Sequence, residues 1–229
     1  MRVPAYWIKS VIRKPGTARW YFRWKNSLDG KHTPLGDELP WITYAAIDWF
    51  SHYLTHEMTI FEWGSGGSTA FFSHHAKQVV TIEHDPAWYQ EVITTVTKRR
   101  YSNANIRLIL PEKDNQTDVW YTSTDDLYQG FSFEKYIRAI DVYPDSCFDV
   151  VVVDGRARPG CIRQALSKIK PGGYLVLDNS ERTAYLEGIR MVSNWGSKKF
   201  IGPAPYIRYQ SETRIWKKPG QMIEVDKSL

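Results

Sequence analysis

Acidic side chains stand where several predicted strands end. Glu62 closes the run "MTIFE", Glu83 closes "QVVTIE", Asp154 closes "FDVVVVD", and Asp178 closes "YLVLD" with Asn179 directly after it. Carboxylates at one edge of a parallel sheet can hold a ribose, an ammonium group or a metal ion, and one of them can act as a general base. One such acid could arise by chance, whereas four at strand ends indicate a shared site.

A loop rich in glycine and serine follows Glu62. Its members are Gly64, Ser65, Gly66, Gly67 and Ser68. Glycine permits positive φ and a close approach of the backbone to a ligand. A helix that begins here would also point its first N–H groups at that ligand. The NAD-type pattern G-x-G-x-x-G would need glycine where Thr69 stands, and no P-loop lysine follows.

The two acids nearest this loop restrict the ligand further. Glu62 would repel a pyrophosphate, but it suits a cation or an ammonium group. Glu83 lies 21 residues after Glu62 and is well placed to accept hydrogen bonds from both hydroxyls of a ribose. The implied ligand has a ribose, a positive group near the glycines, and no phosphate.

The elements that must position these residues alternate between strands and helices from residue 58 onward. Five strand patterns are separated by helical ones, and one of them contains four consecutive valines, as expected when both sheet faces are buried. Asp85 is predicted to cap the helix that begins at Pro86. Two candidate antiparallel strands end the chain. We therefore predict an α/β, Rossmann-like, doubly wound and mostly parallel seven-stranded sheet, with helices on both faces and an antiparallel C-terminal strand pair.

Four motifs in order carry a family resemblance. "FEWGSGGS", "TIEHD", "FDVVVVDG" and "IKPGGYLVLDN", between about residues 58 and 180, resemble class I S-adenosylmethionine-dependent methyltransferases. The family's third glycine falls at Ser68 here. The resemblance implies that Glu62 and the loop 64–68 hold the methionine part of S-adenosylmethionine and that Glu83 holds the ribose. It also implies that His84 and the turn 110–112 lie near the adenine.

The residues after the fourth predicted strand bear on the reaction. Methyltransferases of this fold that act on the nitrogens of nucleic acid bases carry an Asn/Asp-Pro-Pro-Tyr/Phe run there, whereas this chain has Asp154-Gly155-Arg156-Ala157-Arg158. We therefore predict O-methylation of a small molecule or glycan hydroxyl, with Asp154 and Arg156 as catalytic residues. Nucleic acid is not expected as the partner.

A metal site is one interpretation of the acids at the strand ends. Asp154, Asp178 and Asn179 resemble the Mg²⁺ ligands of the O-methyltransferases of the catechol and caffeoyl-coenzyme A type. Those enzymes carry a lysine three residues after the first acid, where Ala157 stands here. Without the ion, Asp154 could itself be the general base, or it could hold the amino group of S-adenosylmethionine.

The arginines of the same turn also have two interpretations. Arg156 and Arg158 could bind an acidic acceptor, such as a uronate or a sugar phosphate, because guanidinium groups bind carboxylate and phosphate through paired hydrogen bonds. Alternatively, each could pair with Glu62 or Asp154 and order the loop. For Arg156 both roles are equally expected, whereas Arg158 is expected to order the loop.

Positive charge is concentrated at the start of the chain. Of the 30 Lys and Arg residues, seven lie among the first 25 residues, where there is no acid. We divide the chain into a basic, aromatic leader, 1–30, and one S-adenosylmethionine-binding domain, 31–229. The leader could contact an anionic membrane or could cover part of the body. Since no apolar run reaches the roughly 18 residues of a spanning helix and the two cysteines form no metal or redox spacing, we expect a cytoplasmic protein, with peripheral contact to the inner membrane face as an option.

Two other functions are possible alternatives for this sequence. An aminopropyl transferase of the same fold would use the decarboxylated cofactor, but it usually has a second acid where Ala157 stands. A nucleotide-binding module without catalysis could dock to a membrane or nucleic acid through the leader. The set of acids at the strand ends argues against this last alternative.

Overall fold

The computed structural model describes residues 4–114 and 118–220 of the 229-residue chain. Within them, seven strands form the main sheet: β1 (Thr59–Trp63), β2 (Gln78–Glu83), β3 (Ala104–Leu108), β6 (Phe148–Val153), β7 (Ile169–Asp178), β8 (Gly196–Pro203) and β9 (Gln210–Lys217). A short ribbon, β4 (Glu112–Lys113) and β5 (Phe131–Ser132), lies outside this sheet and was not predicted.

The strand order of the main sheet is β3-β2-β1-β6-β7-β9-β8. The first five strands of that order are parallel, and β9 pairs antiparallel with both β7 and β8. The predicted fold class is therefore confirmed. Because the chain reverses its direction of sheet growth between β1 and β6, a crevice is expected at the carboxyl ends of these two strands.

Eight helices accompany the sheet in the described residues. They are α1 (Ala5–Arg13), α2 (Tyr21–Ser27), α3 (Tyr44–Tyr53), α4 (Gly67–His75), α5 (Pro86–Arg99), α6 (Glu134–Ile137), α7 (Arg158–Lys168) and α8 (Leu186–Met191). Asp85 caps α5 as predicted, since its side chain accepts a hydrogen bond from the Trp88 N–H at 2.9 Å.

The strands bury both of their faces. Ile60 and Val150 belong to a core that also includes side chains of α3 and α4, whereas Phe61 and Val151 belong to a second core shared with α6 and α7. Neighbouring residues of a strand point to opposite faces. The helices therefore cover the sheet on both sides, and their packing holds the strand ends in fixed positions.

The leader is built into the first of these cores. Trp7, Trp20 and Trp24 are buried against residues of α3, α4 and the sheet, and the Trp24 indole N–H donates to the Ile207 carbonyl at 2.7 Å. The core thus continues across residue 30, where the sequence analysis divided the chain. The large area that a tryptophan buries explains the packing.

The outer side of the leader keeps its basic and apolar character. Ile8, Ile12 and Phe22 are exposed, as are basic residues including Lys9 and Lys14, whereas Arg2 lies outside the described residues. Peripheral contact with an anionic membrane stays a prediction. In the described parts of the chain, no helix has the length and apolar character needed to span a membrane.

The polar segment 114–130, whose length is typical of a lid, lies partly outside the described residues. From residue 118 onward it forms two short 3₁₀ turns, and the ribbon of β4 and β5 closes its base. It packs on the body, because the Trp120 carbonyl lies so close to Gly160 that a Cβ there would approach it to 2.2 Å. This segment therefore borders the sheet edge where β6 ends.

Candidate active site

A crevice of about 590 Å³ opens at the carboxyl ends of the parallel strands. With the exceptions of Glu62 and the turn 110–112, every residue predicted to serve cofactor, catalysis or metal lines it. These residues are Gly64, Ser65, Gly66, Gly67, Ser68, Glu83, His84, Asp154, Arg156, Asp178 and Asn179. The sheet topology therefore brings together residues that are up to 115 positions apart in the chain.

Glu83 is the most constrained acid of the crevice. Its Oε2 accepts hydrogen bonds from the N–H and the hydroxyl of Ser65, at 2.9 and 2.7 Å, and its Oε1 accepts from the N–H groups of His84 and Asp85, at 2.7 and 2.9 Å. Burial alone would raise the pKa of Glu83, but hydrogen bonds from His84, Ser65 and Asp85 outweigh it and lower the pKa to about 2. Glu83 is therefore a fixed negative charge at neutral pH.

The glycines of the loop have different structural roles. Gly64 has a positive φ of 94°, and a Cβ there would come within 2.8 Å of the Gly155 nitrogen. A Cβ on Gly67 would come within 2.0 Å of the Pro34 carbonyl, so this glycine is needed for packing against the chain before α3. Gly66 meets only the Trp88 ring at ordinary distance. Of the three positions, 64 and 67 require glycine, because a Cβ at either one would collide with a neighbouring backbone segment.

Glu62 lies behind the loop and does not line the crevice. Its side chain is completely buried, and its Oε2 accepts hydrogen bonds from the hydroxyls of Thr69 and Thr81 at 2.8 and 3.0 Å. Burial raises the pKa of Glu62 to about 8, although hydrogen bonds from Ser68, Thr69 and Thr81 oppose the shift. Glu62 is thus absent from the crevice wall, whereas Ser68 of the loop lies on it, and a contact between Glu62 and the methionine part stays a prediction.

The second oxygen of the Glu62 carboxyl, Oε1, is not bonded to either threonine. Within the described residues, Oε1 is buried without a hydrogen-bond partner. A buried carboxyl oxygen without a donor is unfavourable by roughly 1–3 kcal/mol. This cost adds to the burial that disfavours the ionised form of Glu62.

The proposed Mg²⁺ ligands do not form a cation site, because a guanidinium group lies among them. Arg158 is buried; its Nη2 is 3.0 Å from Asp154 Oδ1, and its Nη1 donates to the Asp178 carbonyl and to Asn179 Oδ1. The Asp178 carboxylate instead accepts a hydrogen bond from the Thr213 hydroxyl at 2.7 Å. The positive charge that these oxygens require is thus supplied by the protein.

The other acidic side chains of the described residues do not form a metal site either. Among residues 4–114 and 118–220, no group of three His, Cys, Asp or Glu side chains is arranged to hold a metal ion. The metal interpretation is therefore unsupported, and the expectation that Arg158 pairs with Asp154 and orders the turn agrees with the structure. Burial raises the pKa of Asp154, while Arg158, Arg182 and Arg156 oppose the shift.

Arg156 connects the turn after β6 to the segment 118–130. Its Nη2 lies 2.9 Å from Asp125 Oδ2, and its Nε donates to His84 Nε2 at 3.3 Å. The guanidinium also lies over the Tyr128 ring, 5.6 Å from the ring centre. Arg156 is therefore a structural bridge at the mouth of the crevice as well as a charge that a ligand can reach.

Several residues of the crevice wall were not predicted from the sequence. Trp88 of α5 lines it and donates from its indole N–H to the Ser65 carbonyl at 2.7 Å, and Arg182 lines it after β7. The turn 110–112 is absent from the wall, and its place near the adenine stays a prediction. The first turn of α5 was recognisable from its Asp-Pro cap, whereas Arg182 carried no signal in the sequence.

The aromatic side chains that could line an acceptor cleft separate into two groups. Trp41 and Tyr209 lie on the crevice wall. Trp63 is instead completely buried in the core, and its indole N–H donates to the Tyr136 carbonyl at 2.9 Å. A tryptophan at the last position of a central strand is thus a core residue here.

The arrangement fits S-adenosylmethionine as the cofactor. The loop 64–68 and the first N–H groups of α4 face the crevice, Glu83 offers a permanently ionised carboxylate, and Trp88 and His84 provide flat surfaces beside it. These are groups that could hold the amino acid, ribose and adenine parts, respectively. The crevice is large enough for a ligand of this size.

Comparison with known proteins agrees on the fold. No protein-family model matches the chain, and no curated protein does. Among solved structures, the chain is similar to an rRNA methylase from Streptococcus thermophilus, with a TM-score of 0.55, 14% identity, and 77% of this chain and 95% of that chain covered. It is also similar to precorrin-6y C5,15-methyltransferase from Geobacter metallireducens, with a TM-score of 0.53, 12% identity, and 76% and 86% covered.

A third neighbour carries a different activity. A precorrin 8w decarboxylase from Methanobacterium thermoautotrophicum matches with a TM-score of 0.50 and 15% identity, over 76% of this chain and 87% of that chain. At these identities the similarity is one of fold, and the reaction must be argued from the site. The chain has the Rossmann-like fold of class I S-adenosylmethionine-dependent methyltransferases.

Proposed function

We propose that the protein is an S-adenosylmethionine-dependent methyltransferase that methylates a hydroxyl oxygen of a small molecule or glycan. One observation carries the proposal. A single crevice at the ends of β1, β2 and β6 is bordered by the loop 64–68, by the ionised Glu83, and by Asp154. This set suits a ligand with an amino acid, a ribose and no phosphate, and it leaves a second carboxylate for the acceptor.

The cofactor supplies a methyl group on a positively charged sulfur, so the protein has to align the acceptor, exclude water and accept one proton. Asp154 is the group we assign to the proton. It lies on the crevice wall with Oδ1 held by Arg158 at 3.0 Å, and burial raises its pKa while Arg158, Arg182 and Arg156 oppose the shift. Arg158 fixes the carboxylate's orientation through its additional hydrogen bonds to the Gly155 and Asp178 carbonyls.

Arg156 is assigned to the acceptor side of the crevice. It is part of the wall, and its charge is partly satisfied by Asp125. Asp125 belongs to the segment 118–130. A ligand that binds Arg156 would therefore change the ion pair between Arg156 and Asp125, and with it the contact that holds this segment to the crevice. We therefore expect Arg156 to act on acceptor binding, with little effect on the proton transfer itself.

Aminopropyl transfer is disfavoured by the turn after β6. Ala157, which stands where a second acid would be needed, is buried with a positive φ of 47° and immediately precedes α7. Ala157 also borders the smaller cavity beside the crevice, but as an alanine it offers no carboxylate for the second acid that aminopropyl transfer uses.

Isothermal titration calorimetry can separate these functions. S-adenosylhomocysteine should bind with micromolar affinity, and its decarboxylated analogue and NAD should bind far more weakly. Tight binding of the decarboxylated compound would support aminopropyl transfer, and absence of binding by all three would refute the proposal.

The assignment of Asp154 needs a separate variant. Asp154→Asn should retain binding of S-adenosylhomocysteine within about tenfold while methyl transfer to any accepted hydroxyl falls by roughly 10²–10⁴, the usual contribution of a positioned base. Glu91→Gln, which changes an exposed glutamate of α5, is the matched control. A larger loss of cofactor affinity than of turnover would show that Asp154 holds the cofactor's amino group instead.

A further inference from the structure

A smaller cavity of about 200 Å³ adjoins the crevice. Residues 122–125, the turn after β6 and the chain after β7 line it, and it shares Gly155, Arg156, Arg158 and Arg182 with the crevice. The two spaces therefore have a common wall of mainly arginine side chains. A ligand seated in the crevice can extend one end into the smaller cavity.

The arginines of this wall differ in how their charge is satisfied. Arg156 pairs with Asp125 at 2.9 Å, and Arg158 pairs with Asp154 at 3.0 Å. Arg182 forms no ion pair with any residue in 4–114 or 118–220. Of the three arginines shared by the two spaces, Arg182 is therefore the one whose guanidinium group has no carboxylate within ion-pair distance in the described residues, although its charge still acts on Asp154 from farther away.

The surroundings of Arg182 suit an anion. Its Nη1 donates a long hydrogen bond to the Tyr185 hydroxyl, at 3.4 Å, and the residue is exposed, so a ligand in solution can reach it. On the opposite side of the cavity, the Ser123 oxygen accepts a hydrogen bond from the Asp125 N–H at 3.1 Å, which leaves the Ser123 O–H able to donate. Thr124 adds another hydroxyl to that side.

We propose that the acceptor carries an anionic group, a carboxylate or a phosphate, which binds Arg182 in the smaller cavity while the hydroxyl to be methylated lies in the crevice beside Asp154. The guanidinium group can bind either anion through two parallel hydrogen bonds. The inference rests on the proposed function for the identity of the acceptor's other end, but the anion site itself does not depend on methyl transfer.

The test measures binding of small anionic probes to the full chain by saturation-transfer NMR and calorimetry. Glucuronate and ribose 5-phosphate are compared with their neutral counterparts, glucose and ribose, with and without saturating S-adenosylhomocysteine. Arg182→Gln removes the charge under study. Arg190→Gln makes the same chemical change at an exposed arginine of α8 that lines neither space, and serves as the matched control.

The anionic probes should bind to the wild type and to Arg190→Gln, and their affinity should fall roughly tenfold or more in Arg182→Gln, the scale of hydrogen bonds to a charged group. Whichever anionic probe binds more tightly identifies the anion. Equal affinity of Arg182→Gln and wild type, or equal affinity for charged and neutral probes, would overturn the proposal. Failure of S-adenosylhomocysteine to bind would instead refute the proposed function, and the titrations without it would still decide the anion site.

Discussion

Replacing Glu62 with glutamine should make the protein more stable at neutral pH. The Glu62 carboxyl is completely buried, and burial raises its pKa from an ordinary value of 4.5 to about 8, against the opposing hydrogen bonds of Ser68, Thr69 and Thr81. At pH 7 the folded protein therefore keeps Glu62 mostly protonated, whereas the unfolded chain ionises it. Glutamine has nearly the same shape and carries no charge in either state.

The size of the effect follows from the two pKa values. Because the folded pKa is raised, the stability that Glu62 contributes is fully present below about pH 4.5 and is lost as the pH rises toward 8. Within that window the slope is about 1.4 kcal/mol per pH unit. Between pH 5 and pH 7, the wild type should therefore lose about 2–3 kcal/mol of unfolding free energy that Glu62→Gln retains.

Urea unfolding followed by tryptophan fluorescence at pH 5, 6 and 7 measures this difference. The free energies of wild type and Glu62→Gln should be similar at pH 5 and should diverge steadily as the pH rises. Glu91→Gln, at an exposed position, should follow the wild type throughout. A difference between wild type and Glu62→Gln that stays constant with pH would show that Glu62 is ionised in the folded protein, and the account of its burial would fail.

Other parts of the structure give further predictions. Glu83→Ala should weaken S-adenosylhomocysteine binding by roughly 1.5–3 kcal/mol, and an unchanged dissociation constant in a folded variant would remove Glu83 from the site. Trp24→Ala should lower the unfolding free energy by about 3–5 kcal/mol, whereas an unchanged urea midpoint would mean that the leader is dispensable for the fold. A chelator should leave methyl transfer unchanged, because Arg158 supplies the positive charge among the acids; loss of turnover that Mg²⁺ restores would contradict this. Glutamate in place of Lys9 and Lys14 should reduce salt-sensitive binding to anionic vesicles, and equal binding of the variant and the wild type would argue against membrane contact by the leader.

The sequence predicted the architecture because the strands are nearly continuous apolar runs. Such runs must be buried on both faces, and the alternation with helices then requires parallel strands whose ends share one edge. The predicted strands agree with those observed within a few residues at most ends. Since Glu83 and Asp154 come at or directly after a strand end, their place on the crevice wall followed from the same pattern.

The sequence alone could not determine the roles of the other residues. Strand β1 continues to Trp63, one residue beyond its predicted end, so Glu62 lies within the strand and is completely buried instead of ending it at the crevice. The leader could have been a solvated arm, and only the three-dimensional packing shows its tryptophans in the core.

The pairing of the acids and arginines around β6 and β7 could not be predicted from the sequence either. Their spacing allowed a metal site, an acceptor site or internal ion pairs, because spacing does not specify which side chains meet across separate loops. In the folded chain, Arg158 reaches across to Asn179 and supplies the charge that a metal ion would have supplied, whereas Arg182 forms no ion pair in the described residues. The sequence determined which residues meet at the strand ends, through the burial of the strands, and the tertiary structure decided which charges are satisfied there, because that depends on contacts between distant segments.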